Sequence, residues 1–437
     1  MNAPRKIAIV GGGMLGLTLA LRLNEMSHEV TVFEAAPVFG GLASAWSIGS
    51  VTWDKHYHVT LFSDQNTRQI LGEIGLEDEL VWASTKTGCY SHGKLYSVSN
   101  ASEFLKFPHL TIIEKFRLAF TILRASRLKN WRALEQETVE TWLRRWSGNG
   151  AYEAFWRPLL ISKLGEAHKR TSAAFIWATI QRLYAARRNG LGEERFGYVR
   201  GGYARVFSRF AEVLTDRGVD LISDARISEI TTTSEGMEIQ HANGSRGKFD
   251  RVVVTTAPAI AAKLCPFIDE DERKRLSGFE YLGIVCPSVL LRRPLGGCYV
   301  TNIVDDGFPF TGVIEMSSLV AVEETGGCYL VYLPRYHVQK DEIASLSDDE
   351  IQTLFLTALR KMYPDLTDED VLSFQVSRVR NVMPIPTINF SQTVLPFATS
   401  QTGLYLVNSS QIVNGTLNVN ETIGLANRAI AGGGVAA

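Results

Sequence analysis

The sequence predicts an α/β fold built on a parallel sheet, and three observations near its start carry that expectation. Residues 7–10 are short, apolar and β-branched, which suits a buried parallel strand. Gly11, Gly13 and Gly16 follow in G-x-G-x-x-G spacing, where a strand should turn into a helix. Leu17, Leu19, Ala20, Leu21 and Leu23 give that helix an apolar side. A second strand over residues 30–33 ends at Glu34, 23 residues after Gly11. In this layout the glycines let backbone approach a pyrophosphate. The helix N-terminus offers free N–H groups and a positive dipole end, and the carboxylate accepts from ribose hydroxyls. The unit is a Rossmann-like dinucleotide-binding βαβ, with Gly11, Gly13, Met14, Leu15, Gly16 and Glu34 as cofactor-contacting candidates. These residues alone leave NAD and FAD both open.

Size and composition narrow the function classes. A chain of 437 residues is too large for one simple core, so two intertwined domains are expected. A net charge of -1 argues against a dedicated nucleic-acid binder. The five cysteines, Cys89, Cys265, Cys286, Cys298 and Cys328, are scattered and lack C-x-x-C spacing. That pattern speaks against a disulfide framework and a zinc site, and fits a reducing cytoplasm. The first strand begins within six residues, leaving no room for a signal peptide, and no run of about 18 uncharged apolar residues suggests a spanning helix.

Gly40 and Gly41 follow six residues past Glu34, in EAAPVFGGLAS. Here the chain resembles the superfamily of flavin-containing amine oxidases and protoporphyrinogen oxidases, whose N-terminal motif runs through Glu to a Gly-Gly pair beside the flavin. The resemblance covers nearly the whole chain and implies FAD, with Gly40, Gly41, Leu42 and Ala43 near the flavin; no Cys stands in the C-terminal loop where amine oxidases attach theirs, so the FAD is expected to be non-covalent. Val38 and Leu42-Ala43-Ser44 stand where that superfamily usually carries arginines. The implied fold is a glutathione-reductase-type FAD-binding domain over residues 1–84, 196–275 and 390–437. A discontinuous α+β substrate domain with a helical subdomain covers residues 85–195 and 276–389.

Asp54, His56 and His58 alternate around Tyr57, so an extended segment would set all three on one face. Such a set can ligate a metal, but no fourth ligand is apparent, and the expected metal is none. UDP-galactopyranose mutases, which share the resemblance, pack a similar histidine segment against the flavin. His56 and His58 are therefore catalytic candidates, weighed against a purely structural hydrogen-bonding role. Residues 65–82 are expected to be mostly helix, and residues 88–98 a hairpin turning at His92-Gly93. Residues 110–128 form an amphipathic helix with Lys115, Arg117, Arg124 and Arg127 interleaved. Packing on the substrate domain is the first reading. A basic face resting on a membrane is the second, and the resemblance supports it because protoporphyrinogen oxidases dock there.

Helices over residues 139–148, 152–165 and 171–188 follow, with Trp142, Trp146, Trp156 and Trp177 in their core. Tyr184, Arg187 and Arg188 are either an entrance or a solvated face. Residues 196–206 resemble the superfamily's Gly-Gly turn, at Gly201-Gly202, and a helix over 206–216 leads to a strand pair over 219–230. The resemblance places backbone of Ala225, Arg226 and Ile227 at the adenine edge. Residues 249–258 are a buried parallel strand ending in a turn whose Thr256 and Ala257 approach the pyrophosphate. Glu315 interrupts an apolar strand, and an interior carboxylate needs a partner or a purpose. It is a catalytic candidate, with a salt-bridged structural role as its competitor. A last strand over 404–407 precedes Asn408 and Ser409, then a helix from residue 418. Its start, with Asn420, Glu421 and Thr422, points at the flavin in the resemblance and can stabilise negative charge there.

The function expected is an FAD-dependent oxidoreductase taking a hydride from a small organic substrate. A non-redox sugar-nucleotide mutase, an isoprenoid or carotenoid desaturase and a non-catalytic flavin-fold protein are the alternatives. The expected setting is the cytoplasm or the inner membrane surface.

Overall fold

The computed structural model describes residues 4–187, 195–339, 341–413, 417–432 and 435. Strand Lys6–Val10 lies at the centre of a five-stranded parallel sheet. Its order is Leu404–Leu406, Arg251–Val254, Lys6–Val10, Glu29–Phe33 and Asp220–Ile222. Ile7 pairs with Val30 on one side and with Arg251 on the other. The period of two sorts this strand between two cores. Ile7 and Ile9 join Leu17, Leu21, Phe210 and Ile423, under helices Met14–Glu25, Gly202–Asp216 and Val419–Ala431. Ala8 and Val10 join Ile230, Ile239 and Ala261, under a three-stranded antiparallel sheet and helix Pro258–Leu264.

A second, eight-stranded mixed sheet holds strand Tyr281–Leu291, buried along its whole length, with Val371–Pro384 paired antiparallel to it. Helices Ile112–Arg127, Val139–Ser147, Arg157–Leu164 and Ala173–Arg187 pack around Trp142, Tyr152, Trp156 and Trp177, and Cys89, Leu282 and Met383 of the sheet join the same core. Every strand of the parallel sheet comes from residues 6–33, 220–254 and 404–406. Every strand of the mixed sheet comes from 87–97 and 281–384.

Several expected boundaries move. The helix over 65–82 stops at Glu73, because Gly75 takes a left-handed φ of +75° and the Leu76 N–H returns to the Leu71 carbonyl. Leu80–Ser84 then becomes a strand, antiparallel to Arg195–Val199. The helix over 206–216 begins at Gly202, after Gly201 turns the chain at φ +74°. Residues 219–230 divide between two sheets, Asp220–Ile222 in the parallel one and Ile227–Thr233 in the antiparallel one. The hairpin turns at His92-Gly93, with φ of +51° and +73° and Ser91 opposite Lys94.

The helix Ile112–Arg127 does not bury its apolar residues on one face. Leu118, Thr121 and Ala125 go inward, whereas Ile112, Ile113, Phe116 and Phe120 stay exposed. Lys115 is only 6% exposed and donates to the Leu105 carbonyl, so it adds no charge to an outer face. Arg124 stacks on Trp146 at 3.7 Å. Arg188 and the side chain of Arg187 lie outside the described residues.

Candidate functional site

One cavity of about 1030 Å³ runs from the edge of the parallel sheet into the helical layer. At its first end Gly11 carries φ +118°, and a Cβ there would meet Thr255 Oγ1 at 2.3 Å. A Cβ on Gly16 would stand 1.9 Å from the Gly11 carbonyl oxygen, so this glycine lets helix and turn touch and lies behind the cavity wall. Gly13, Met14 and Leu15 line the wall, and the helix starting at Met14 has no side-chain cap and no acidic residue in its first turn. Its free N–H groups and dipole are left for an anion. The Glu34 carboxylate also faces the cavity, accepting from Gly12 N at 2.7 Å and Ala36 N at 2.9 Å. Each carboxylate oxygen retains a lone pair for a hydroxyl donor. Gly40 N donates to the Gly12 carbonyl at 2.9 Å, locking the glycine pair onto the first turn; Gly40, Gly41, Leu42 and Ala43 all line the wall.

A second helix N-terminus meets the same cavity. Asn418 caps helix Val419–Ala431 by accepting from Glu421 N, and Asn418, Val419 and Thr422 line the wall beside Ser409. Asn420 turns away and accepts from Asn66 N at 2.9 Å, capping helix Gln65–Glu73. Asn408 is buried and caps its own turn through Ser410.

The histidine segment closes the middle of the cavity. His56 Nδ1 donates to the Leu42 carbonyl at 3.1 Å, and Nε2 of the neutral ring accepts from Ser377 Oγ at 3.1 Å. It therefore ties the glycine-pair turn to strand Val371–Pro384. Burial holds the His56 imidazole below its usual range, and burial with the neighbouring His56 pushes His58 down to about 3. Both rings are neutral near pH 7. Asp54 points away from the cavity, accepting from Tyr203 N at 2.8 Å, and burial pushes its carboxyl up to about 7. His58 stands 3.9 Å from Asp54, and among the described residues no group of His, Cys, Asp or Glu could hold a metal ion. Between the histidines, Tyr57 pairs its hydroxyl with Tyr336 at 3.0 Å, and Lys163 Nζ donates to Tyr336 at 2.8 Å. Beyond them the cavity becomes an apolar chamber walled by Phe104, Leu118, Ile122, Phe155, Leu159 and Ile176.

A family model for flavin-containing amine oxidoreductases matches residues 15–412. The chain belongs to the flavin-containing amine oxidoreductase family. This flavoprotein oxidoreductase is 27% identical over 131 residues to the 15-cis-phytoene desaturase of Arabidopsis thaliana, covering 29% of this chain and 22% of that protein's length. Its fold matches an oxidoreductase from Methanosarcina mazei at TM-score 0.76 and 18% identity, covering 98% of this chain and 100% of that one. A reduced UDP-galactopyranose mutase superposes at TM-score 0.74 and 16% identity, covering 98% of this chain and 96% of the other.

The site fits a flavin nucleotide. The glycine turns would clash if they carried a Cβ, two helix N-termini face one cavity, and the buried Thr256 hydroxyl beside wall residues Thr255 and Ala257 has no partner among the described residues. Of the expected cofactor contacts, Gly11, Gly13, Met14, Leu15, Glu34, Gly40, Gly41, Leu42, Ala43, Ala257, Ser409 and Thr422 line the cavity. Gly16, Arg226, Ile227, Thr256, Asn408, Asn420 and Glu421 do not line it. Arg226 is one residue from Ala225, whose N–H donates to the Glu34 carbonyl at 2.8 Å.

Glu315 requires correction as a catalytic candidate. It lies outside the cavity, and its carboxylate accepts from Leu295, Gly296 and Gly297 N–H groups at 3.0–3.2 Å. It fastens a loop, through backbone donors rather than the expected salt bridge. Lys163, Tyr57 and Tyr336 were not singled out from the sequence. The available signal was Lys163 itself, a lone cation in the apolar run PLLISKLG.

Proposed function

We propose that this flavoprotein holds FAD non-covalently and takes a hydride from a C–H bond of a small organic substrate seated in the apolar chamber. The carrying observation is the continuity of the cavity, which joins the nucleotide cradle to a chamber built from the other domain. Bound flavin supplies hydride acceptance at its N5. Glu34 would accept from ribose hydroxyls, the helix starting at Met14 would hold the pyrophosphate, and the positive end of the helix starting at Val419 would stabilise negative charge on the flavin. His56 holds the glycine-pair turn through Leu42. The apolar walls exclude water and orient the substrate.

Non-covalent attachment is supported by the wall chemistry. Both His56 nitrogens have partners, and Cys89, on a strand of the mixed sheet, has its thiol pushed up to about 12 by burial. Acid precipitation tests this directly. FAD released into the supernatant is the expected result; flavin left on the protein, or FMN alone, overturns it. A sugar nucleotide would meet mainly Phe, Leu and Ile side chains in this chamber, which favours an apolar substrate body over the mutase reading.

The protein also rests on an anionic lipid surface in this reading. Ile113 and Phe116 are 73% and 67% exposed, with Ile112, Phe120 and Leu105 beside them. Lys106, Arg117 and Arg127 are exposed around them. Ala101 and Ala119, exposed and in the cavity wall, place an opening of the chamber next to this patch. No helix among the described residues is long and apolar enough to cross a membrane, and the contact proposed is a peripheral one.

A further inference from the structure

We infer that Lys163 is an anchor for an anionic oxygen group, so that the substrate class is an anionic amphiphile whose apolar body fills the chamber. This rests on the chamber being the substrate site.

Two cations line the cavity among the described residues, Lys163 and Arg182. Arg182 is neutralised by Asp64 at 2.9 Å. Lys163 forms no ion pair with any described carboxylate; its contacts are the Tyr336 hydroxyl at 2.8 Å and the Tyr336 ring at 4.0 Å. An ammonium has three N–H donors, so two directions remain for a ligand. The single carboxylate of the described wall is Glu34, at the nucleotide cradle and turned to Gly12 and Ala36. The histidines nearby are held neutral by burial. The chamber therefore carries one uncompensated positive charge in a largely apolar wall, where an anion gains most.

The placement of that charge is fixed. Helix Arg157–Leu164 packs on strands Val300–Ile303 and Arg335–His337, which present Asn302 and Tyr336 to the cavity. Tyr336 bonds Tyr57, and Tyr57 lies between the two histidines that border the glycine-pair turn. Lys163 thus stands where the nucleotide cradle gives way to the apolar walls. Tyr336 is a positioning residue: its hydroxyl accepts from the ammonium and its ring lies under it.

Three probes of one chain length test the inference: decanoate, decanol and decyltrimethylammonium. Their binding to the FAD-loaded protein is measured by calorimetry and by tryptophan fluorescence, to which Trp156 of the cavity wall contributes, and neither requires turnover. Decanoate should bind at least about tenfold more tightly than decanol, as a charge-assisted hydrogen bond implies, and the cation most weakly. Lys163→Met should abolish the preference while keeping decanol affinity, and Lys163→Arg should retain it. Equal affinity for acid and alcohol, a preference that survives Lys163→Met, or no binding of any probe overturns the inference. Failure of the FAD reading appears separately, as protein that takes up no flavin, and the same titrations still read the charge preference.

Discussion

Glu34 closes a turn and faces the cavity with one carboxylate, and in the proposed reading the same group takes the ribose hydroxyls, so its removal should separate binding from folding. Glu34→Ala should weaken FAD binding about tenfold, the scale of a lost charge-assisted hydrogen bond, and cost about 1 kcal/mol of stability at Gly12 and Ala36. Unchanged FAD affinity in a titration would remove the ribose contact from the account. Asp54 makes a different prediction. Its folded carboxyl titrates at about 7, above the value near 4 of an unfolded aspartate, so its contribution is fully present below about pH 4 and is lost as pH rises through 7. His58 runs the opposite way, contributing above the unfolded value near 6.5 and losing that contribution as pH falls towards 3. Asp54→Asn isolates the first effect while keeping an acceptor for Tyr203 N. Its melting temperature relative to the parent should be higher near pH 8 than near pH 5; an equal difference at both would contradict the assigned carboxyl. Glu315→Ala should leave FAD binding intact while costing about 1–3 kcal/mol, because three backbone donors lose their acceptor. Loss of FAD binding in a folded variant would return Glu315 to the site.

Helix Ile112–Arg127 shows what a pattern of apolar residues does and does not specify. The periodicity identified the helix, but not that Leu118 faces the chamber while Ile113 and Phe116 face outward. That choice is made by the packing of helices 139–147 and 173–187 against it. Leu118→Ala should cost about 2–4 kcal/mol by denaturant unfolding. Ile113→Glu with Phe116→Glu should change stability by less than about 0.5 kcal/mol each while abolishing co-sedimentation with anionic liposomes. Persistent co-sedimentation would discard the lipid-facing surface. The first βαβ unit was legible because its information is local: glycine spacing, an apolar strand and a carboxylate at the next strand end. Strand Leu80–Ser84 was not, since its partner Arg195–Val199 lies more than a hundred residues away and half-buried Leu, Val and Trp suit either state. Glu315 was visible as a misfit, but the loop amides that satisfy it come from Gly296 and Gly297, whose approach is tertiary.

At the scale of the molecule, the chain crosses repeatedly between a parallel and a mixed sheet, and the cavity forms where the two meet. No single segment contains the site. Residues 11–43 supply the cradle, 56–58 the border, 104–184 the chamber, and 409–412 with 417–425 the second helix end. The nucleotide half was legible because its motif tolerates little variation in backbone approach. The substrate half was not, because any apolar wall would serve folding equally well and only the cavity shows which residues face it. The most direct measurement is the visible spectrum of the purified, FAD-loaded protein during anaerobic addition of candidate substrates. Bleaching of the flavin bands by a compound with an apolar body is the predicted result, because hydride transfer reduces the cofactor. Flavin bands that no candidate bleaches, with turnover appearing only after dithionite, would contradict it.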